Sequence, residues 1–268
     1  MSKTYYIGWD VGAWHTKKKD GLWILSCARN GDNGELKTVG VPRSTAIQTL
    51  LTQPEPKNLH AFLISLLEEC DSEEPELTSG DRVVMGIDAC FKFPSGIVKL
   101  AEGSFIPEFK VTGSIKNAYL YRPTELVVSK KSILKKRKRS PLSPIQSAIG
   151  SQAAKAQHFL ARYGFEQEGA AWKTESEGVR YSAIEVYPAT SKKGGKFGDG
   201  LLPDFIQEQY MGLTSGVDGL TEDSRDALIC ALVACLYDRD DESLLRPDDH
   251  DCSEGWIWFP KVPDSCNA

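Results

Sequence analysis

Three apolar runs in this chain close on a carboxylate or carry one near their end: Tyr6-Ile7-Gly8-Trp9-Asp10, Val83-Val84-Met85-Gly86-Ile87-Asp88 and Ala183-Ile184-Glu185-Val186-Tyr187-Pro188. Runs of this kind read as central strands of a sheet covered on both faces. Such a strand delivers its acid to the open end of the sheet, where the backbone must turn away, and Gly12 suits that turn. Several carboxylates gathered at one sheet end repel one another and are costly unless each charge is compensated.

The rest of the chain is consistent with such a sheet. Residues 4–12, 22–28 and 35–41, joined by short polar turns, predict an antiparallel meander. Residues 60–70 have helical spacing, and residues 82–88 form the fourth strand. Residues 91–178 read as a long insertion, with 91–142 over the mouth of the sheet and a helical pattern over 143–163. Residues 179–188 form the next strand and 203–211 a short helix. Residues 221–237 form a helix whose apolar body (ALICALVACLY) predicts deep packing against the sheet. Residues 255–260 suit a final edge strand. The class is therefore α/β, a single domain of 268 residues with a mixed sheet flanked by helices.

Composition narrows the function classes. No apolar run is long enough to span a membrane, and Met1-Ser2-Lys3-Thr4 leads straight into a strand, so no signal peptide is expected. Seven scattered cysteines without a Cys-x-x-Cys pair point to reduced thiols and a cytoplasmic location, not to a disulfide framework or a zinc site. The net charge of −5 does not suit a protein that coats nucleic acid. Charge is uneven, however: residues 130–139 (KKSILKKRKR) hold seven basic side chains and no acidic one.

A divalent cation is the usual reason for a carboxylate cluster to persist. Mg2+ or Mn2+ takes hard oxygen ligands and keeps several waters, and such ions activate water for phosphodiester hydrolysis. The candidate ligands are Asp10, Asp88, Asp226 and Asp223, with Glu185 as a further candidate catalytic carboxylate. Asp223 and Asp226 stand three residues apart near a helix start and so share a side. Each acid alone has an ordinary reading. Asp10 is a common strand-end residue, and Asp223 suits the positive end of a helix dipole. The joint pattern carries the inference.

The order of elements, with acids at these points, resembles a ribonuclease H-like fold. The chain is similar in particular to the family called domain of unknown function 429, a group of predicted nucleases. The matching segments are Gly8-Trp9-Asp10, Gly86-Ile87-Asp88, Tyr121-Arg122-Pro123-Thr124-Glu125, Glu185-Val186-Tyr187-Pro188, Asp223 through Ala227 (DSRDA) and Gly255-Trp256-Ile257. The resemblance implies a metal-dependent nuclease with Asp10, Asp88 and Asp226 as metal carboxylates, Asp223 as their partner, and Glu185 either joining them or supporting them.

A nucleic acid substrate would need cationic contacts. Arg122 suits a phosphate, with Glu125 orienting it, or equally an ion pair that organises the insertion. Lys135, Lys136, Arg137, Lys138 and Arg139 suit a phosphate-binding arm, although charge runs commonly form solvated loops. Two other readings share these residues. One is a non-catalytic nucleic-acid or protein-binding module of the same fold. The other is an actin-like ATPase or kinase relative, suggested by Asp10-Val11-Gly12 and opposed by the missing second glycine loop.

Overall fold

In the computed structural model, residues 2–14, 20–28, 35–56, 58–70, 77–106, 115–135, 141–193, 196–197, 201–215, 219–247 and 250–262 are described. The elements are β1 (Lys3–Asp10), β2 (Gly21–Ala28), β3 (Lys37–Gly40), α1 (Ala46–Thr52), α2 (Leu59–Glu68), β4 (Arg82–Asp88), α3 (Ser95–Ala101), α4 (Pro123–Lys131) and α5 (Ser147–Arg162). They continue with β5 (Glu166–Glu168), β6 (Ala171–Ser176), β7 (Val179–Val186), a 3-10 turn (Pro188–Ser191), β8 (Lys192–Lys193) and β9 (Lys196–Phe197). The chain ends with α6 (Asp204–Thr214), α7 (Glu222–Asp238) and β10 (Ile257–Trp258).

The main sheet runs β3-β2-β1-β4-β7-β6-β5, with β10 also paired to β7. β1, β2 and β3 form the expected antiparallel meander, whereas β1, β4 and β7 are parallel neighbours. The architecture is α/β with a mixed sheet.

Alternation along the strands splits the core into two layers. Tyr5, Ile7, Trp9, Val83, Met85, Ile87, Tyr181 and Ala183 face one side, packed with Phe62 of α2 and Phe159 of α5. Tyr6, Val84, Ile184 and Val186 face the other side and meet α7. Every α7 residue from Ala227 to Leu236 is buried. A helix apolar all round needs cover on both sides, here the sheet on one and residues such as Leu202, Ile206 and Leu244 on the other.

The contact between α7 and the sheet is backbone to backbone. A Cβ on Gly8 would lie 1.7 Å from the Ala227 carbonyl oxygen, and one on Gly86 would lie 2.1 Å from that of Cys230. On Gly21 it would lie 2.1 Å from the carbonyl oxygen of Asp223. Only glycine admits the helix at this depth.

One expectation changes. The last part of 91–178 is not an insertion, because β5 and β6 extend the main sheet and β6 pairs antiparallel with β7. The α5 ring of Phe159 belongs to the principal core. The 255–260 segment supplies the expected last strand, β10, which pairs parallel with β7 at Glu185 and Val186. Finally, α1 is an element the sequence pattern did not reveal.

Gly86→Ala should lower the unfolding free energy by about 3 kcal/mol or more, at or beyond the usual overpacking range, because backbone cannot move aside. Gly212→Ala should instead raise it by roughly 0.5–1 kcal/mol, since Gly212 sits in α6 with nothing near its missing Cβ. Urea denaturation of both variants checks the contrast.

Candidate active site

Asp10 and Asp88 are register partners at the ends of the parallel strands β1 and β4. Each stands two residues after a glycine that carries α7, so alternation points both side chains toward that helix. Thr221 caps α7, its hydroxyl accepting from the Ser224 N–H at 3.0 Å. Asp226 then falls one residue before Ala227, whose carbonyl rests over Gly8. Asp223 stands one turn earlier, with its own carbonyl over Gly21, the partner of Asp10 in β2. Four of the five acids expected at the site are thus carried to the same end of the sheet on its α7 side.

The carboxylates act on one another. Burial pushes the Asp88 carboxyl well above the usual carboxylate range, and the charges of Asp10 and Asp226 push it further. Asp226 is also raised, mainly by burial and with help from Glu222 and Asp223. The Lys192 ammonium forms an ion pair with Asp226 and opposes the rise at both residues. Lys192 is not among the residues that the sequence motifs single out. The one sequence signal for it is position, since it follows closely on the Pro188 that ends an acid-bearing strand. Among the described residues, no group of three or more Asp, Glu, His or Cys side chains stands in ligating geometry.

Glu185 is placed differently from expectation. It is opposite Ile87 in the β4–β7 register and so points to the other face of the sheet, away from α7. There it joins a buried cluster. Its Oε2 accepts from Arg122 Nη2 at 2.8 Å and its Oε1 from Arg122 Nη1 at 2.9 Å and the Phe91 N–H at 3.0 Å. Glu125 binds the same guanidinium at 2.5 Å through Nη2 and 3.0 Å through Nε, and the Glu254 carbonyl accepts from Nη1 at 3.0 Å. Burial raises the Glu185 carboxyl and Arg122 opposes that rise.

Arg122 is only 1% exposed and all its N–H groups are engaged. It is therefore a structural cation and is not available to a phosphate. Thr124 accepts from the Ile257 N–H at 2.9 Å, tying β10 to α4 beside the cluster. The segments around 122–125, 185 and 255–257 thus converge on one internal ion network. Of the basic run, Lys130, Lys131 and Lys135 are exposed, while Lys136, Arg137, Lys138 and Arg139 lie outside the described residues.

A second buried pair holds the turn after Asp10. Lys155 of α5 contacts Asp20 at 2.7 Å, and Asp20 Oδ1 also accepts from the Gly12 N–H at 2.8 Å and Trp9 Nε1 at 3.0 Å. Gln152 donates to the Val11 carbonyl at 2.6 Å. Lys155 shares its buried helix side with Phe159, and a lone cation on an apolar helix face was the signal available. Trp9 is a core residue, as alternation with Asp10 suggested.

Beside Asp88 opens a small cleft of about 50 Å³, lined among others by Cys90, Leu142, Ile149, Gln152 and Tyr187. It places part of the 91–142 segment next to the strand ends.

Two measurements follow. Arg122→Met leaves two buried carboxylates without their cation and should lower the unfolding free energy by about 3–5 kcal/mol in denaturant titrations. Asp88 has a folded-state carboxyl raised above its unfolded value. Its contribution is therefore fully present below pH of about 4 and is lost as pH rises toward the folded value. In EDTA, wild type should lose stability relative to Asp88→Asn as pH rises above about 4, read as melting temperature against pH.

No protein-family model, no curated protein and no solved structure matches this chain.

Proposed function

We propose that the acidic end of the sheet is the catalytic centre of a Mg2+- or Mn2+-dependent nuclease of ribonuclease H-like fold. The observation that carries this reading is the joint placement of Asp10 and Asp88, paired across β1 and β4, beneath the first turns of α7 with Asp226. The meander followed by parallel β4 and β7, and a helix laid across their acid-bearing ends, supports the fold relationship.

The donor set fits a hard divalent cation. It consists of carboxylate oxygens, and its most perturbed member, Asp88, is raised by burial and then by the charges of Asp10 and Asp226. Asp10, Asp88 and Asp226 would hold the metal, with Asp223 within electrostatic reach of Asp226. When bound, a divalent ion supplies Lewis-acid stabilisation of a phosphodiester and a water acidic enough to ionise near neutral pH.

The chain's own residues do the rest. The Asp10 and Asp88 carboxylates, fixed by strand register, set the spacing of the ligands. The Lys155–Asp20 pair anchors the backbone of residues 11–12 and so the exit of β1 from the site. Exposed Lys130, Lys131 and Lys135 offer charge for a phosphate backbone. Arg122, Glu125 and Glu185 keep β7, α4 and β10 together behind the reacting carboxylates.

Labelled DNA and RNA incubated with Mg2+ or Mn2+ should be cleaved, with no cleavage in EDTA. Asp10→Asn and Asp88→Asn should each reduce the rate by at least about 100-fold, since losing even a supporting partner of a metal ligand commonly costs 10–100-fold. Equal rates for wild type and Asp10→Asn would sink the proposal. Nucleic acid binding that ignores EDTA and survives Asp226→Asn, without cleavage, would favour a binding module.

A further inference from the structure

Lys192 is the one described cation in an ion pair with a carboxylate of the acidic centre. It stands directly after the Pro188–Ser191 turn, which packs on α7 and whose Thr190 and Ser191 are buried. The backbone that carries Lys192 is thereby anchored beside the helix that carries Asp226. Both partners are largely covered, the Lys192 side chain being 17% exposed and that of Asp226 18%. At that depth an ammonium and a carboxylate are screened far less than a surface pair.

We infer that Lys192 is the resident counter-cation of this site, neutralising Asp226 until a divalent ion displaces it. The inference rests on the metal-site reading above and deepens it. Asp226 cannot serve as a ligand oxygen for a metal and hold the ammonium at full strength together, because two cations would share one carboxylate at close range. The Lys192 charge reaches Asp88 as well, where it opposes the rise that burial causes. Metal binding and the Lys192–Asp226 pair are then negatively coupled, and linkage requires each to weaken the other by the same factor.

The test uses the full chain and Mn2+ as probe. Calorimetric titration should show Lys192→Met binding Mn2+ about 10-fold more tightly than wild type, within the usual range of coupling between sites, while Lys192→Arg stays close to wild type. On unmutated protein, acylation of the Lys192 amine, followed by peptide mass spectrometry, should be slow in EDTA and several-fold faster with saturating Mn2+. This second arm does not depend on how well a variant folds. Mn2+ binding that is equal or weaker in Lys192→Met, or acylation unchanged by Mn2+, would overturn the counter-cation role while leaving the metal site standing. If neither wild type nor Lys192→Met binds Mn2+, the metal site itself fails, and this role with it.

Discussion

The structure depends on one close contact, the seating of α7 directly on the backbone of β1, β2 and β4. Three glycines permit it, and a methyl group at Gly8, Gly21 or Gly86 would overlap main-chain atoms of the helix. Nearly all of the helix body is buried, so its packing against Tyr6, Val84 and Ile184 stabilises the fold through the apolar area removed from water. The same contact fixes the height and rotation of the helix start. Asp223 and Asp226 sit where they do because Ala227 and Cys230 rest on glycines. Stability and the candidate site therefore share a cause. The pattern glycine, any residue, aspartate, present in both β1 and β4, joins them: the glycine admits the helix and the aspartate meets it.

Beside its apolar core, the other face of the sheet carries two buried charge clusters near the strand ends. Arg122 with Glu125 and Glu185, and Lys155 with Asp20, are taken out of water together with hydrogen bonds that satisfy them. Buried pairs of this kind add little net stability against an apolar replacement, but they are costly to break singly. Their effect here is positional. The first ties α4 and β10 to the end of β7, and the second ties α5 to the turn after β1. Elements distant in sequence are thereby held around the strand ends where Asp10 and Asp88 emerge.

Much of this was legible beforehand, for identifiable reasons. Strands β1, β2, β4 and β7 and helix α7 were readable because their apolar runs are long and their ends are marked by acids, turns or a cap. Asp10, Asp88 and Asp226 could be nominated as a group because each stands at an element boundary. β5 and β6 fall within the stretch read as an insertion because they are short and partly exposed, and their pairing comes from neighbouring strands and not from a periodic pattern. Arg122 stays open in sequence between a phosphate contact and an ion pair, and Glu185 between a ligand and a supporting role, because charged residues near strand ends look alike whether they face solvent or the interior.

By itself, then, the amino-acid sequence determined that the chain would form an α/β sheet with carboxylates at the ends of central strands and an apolar helix across them. Hydrophobic periodicity and terminal acids are local properties and survive in one dimension. The tertiary structure decided which carboxylates belong together. The β4–β7 register sets Glu185 opposite Ile87 and turns it to the face away from Asp88, because successive strand residues point to opposite sides. It also decided that Lys192 meets Asp226, brought there by a turn packed on α7. Register and packing are relations between distant segments, and no single stretch of the chain encodes them.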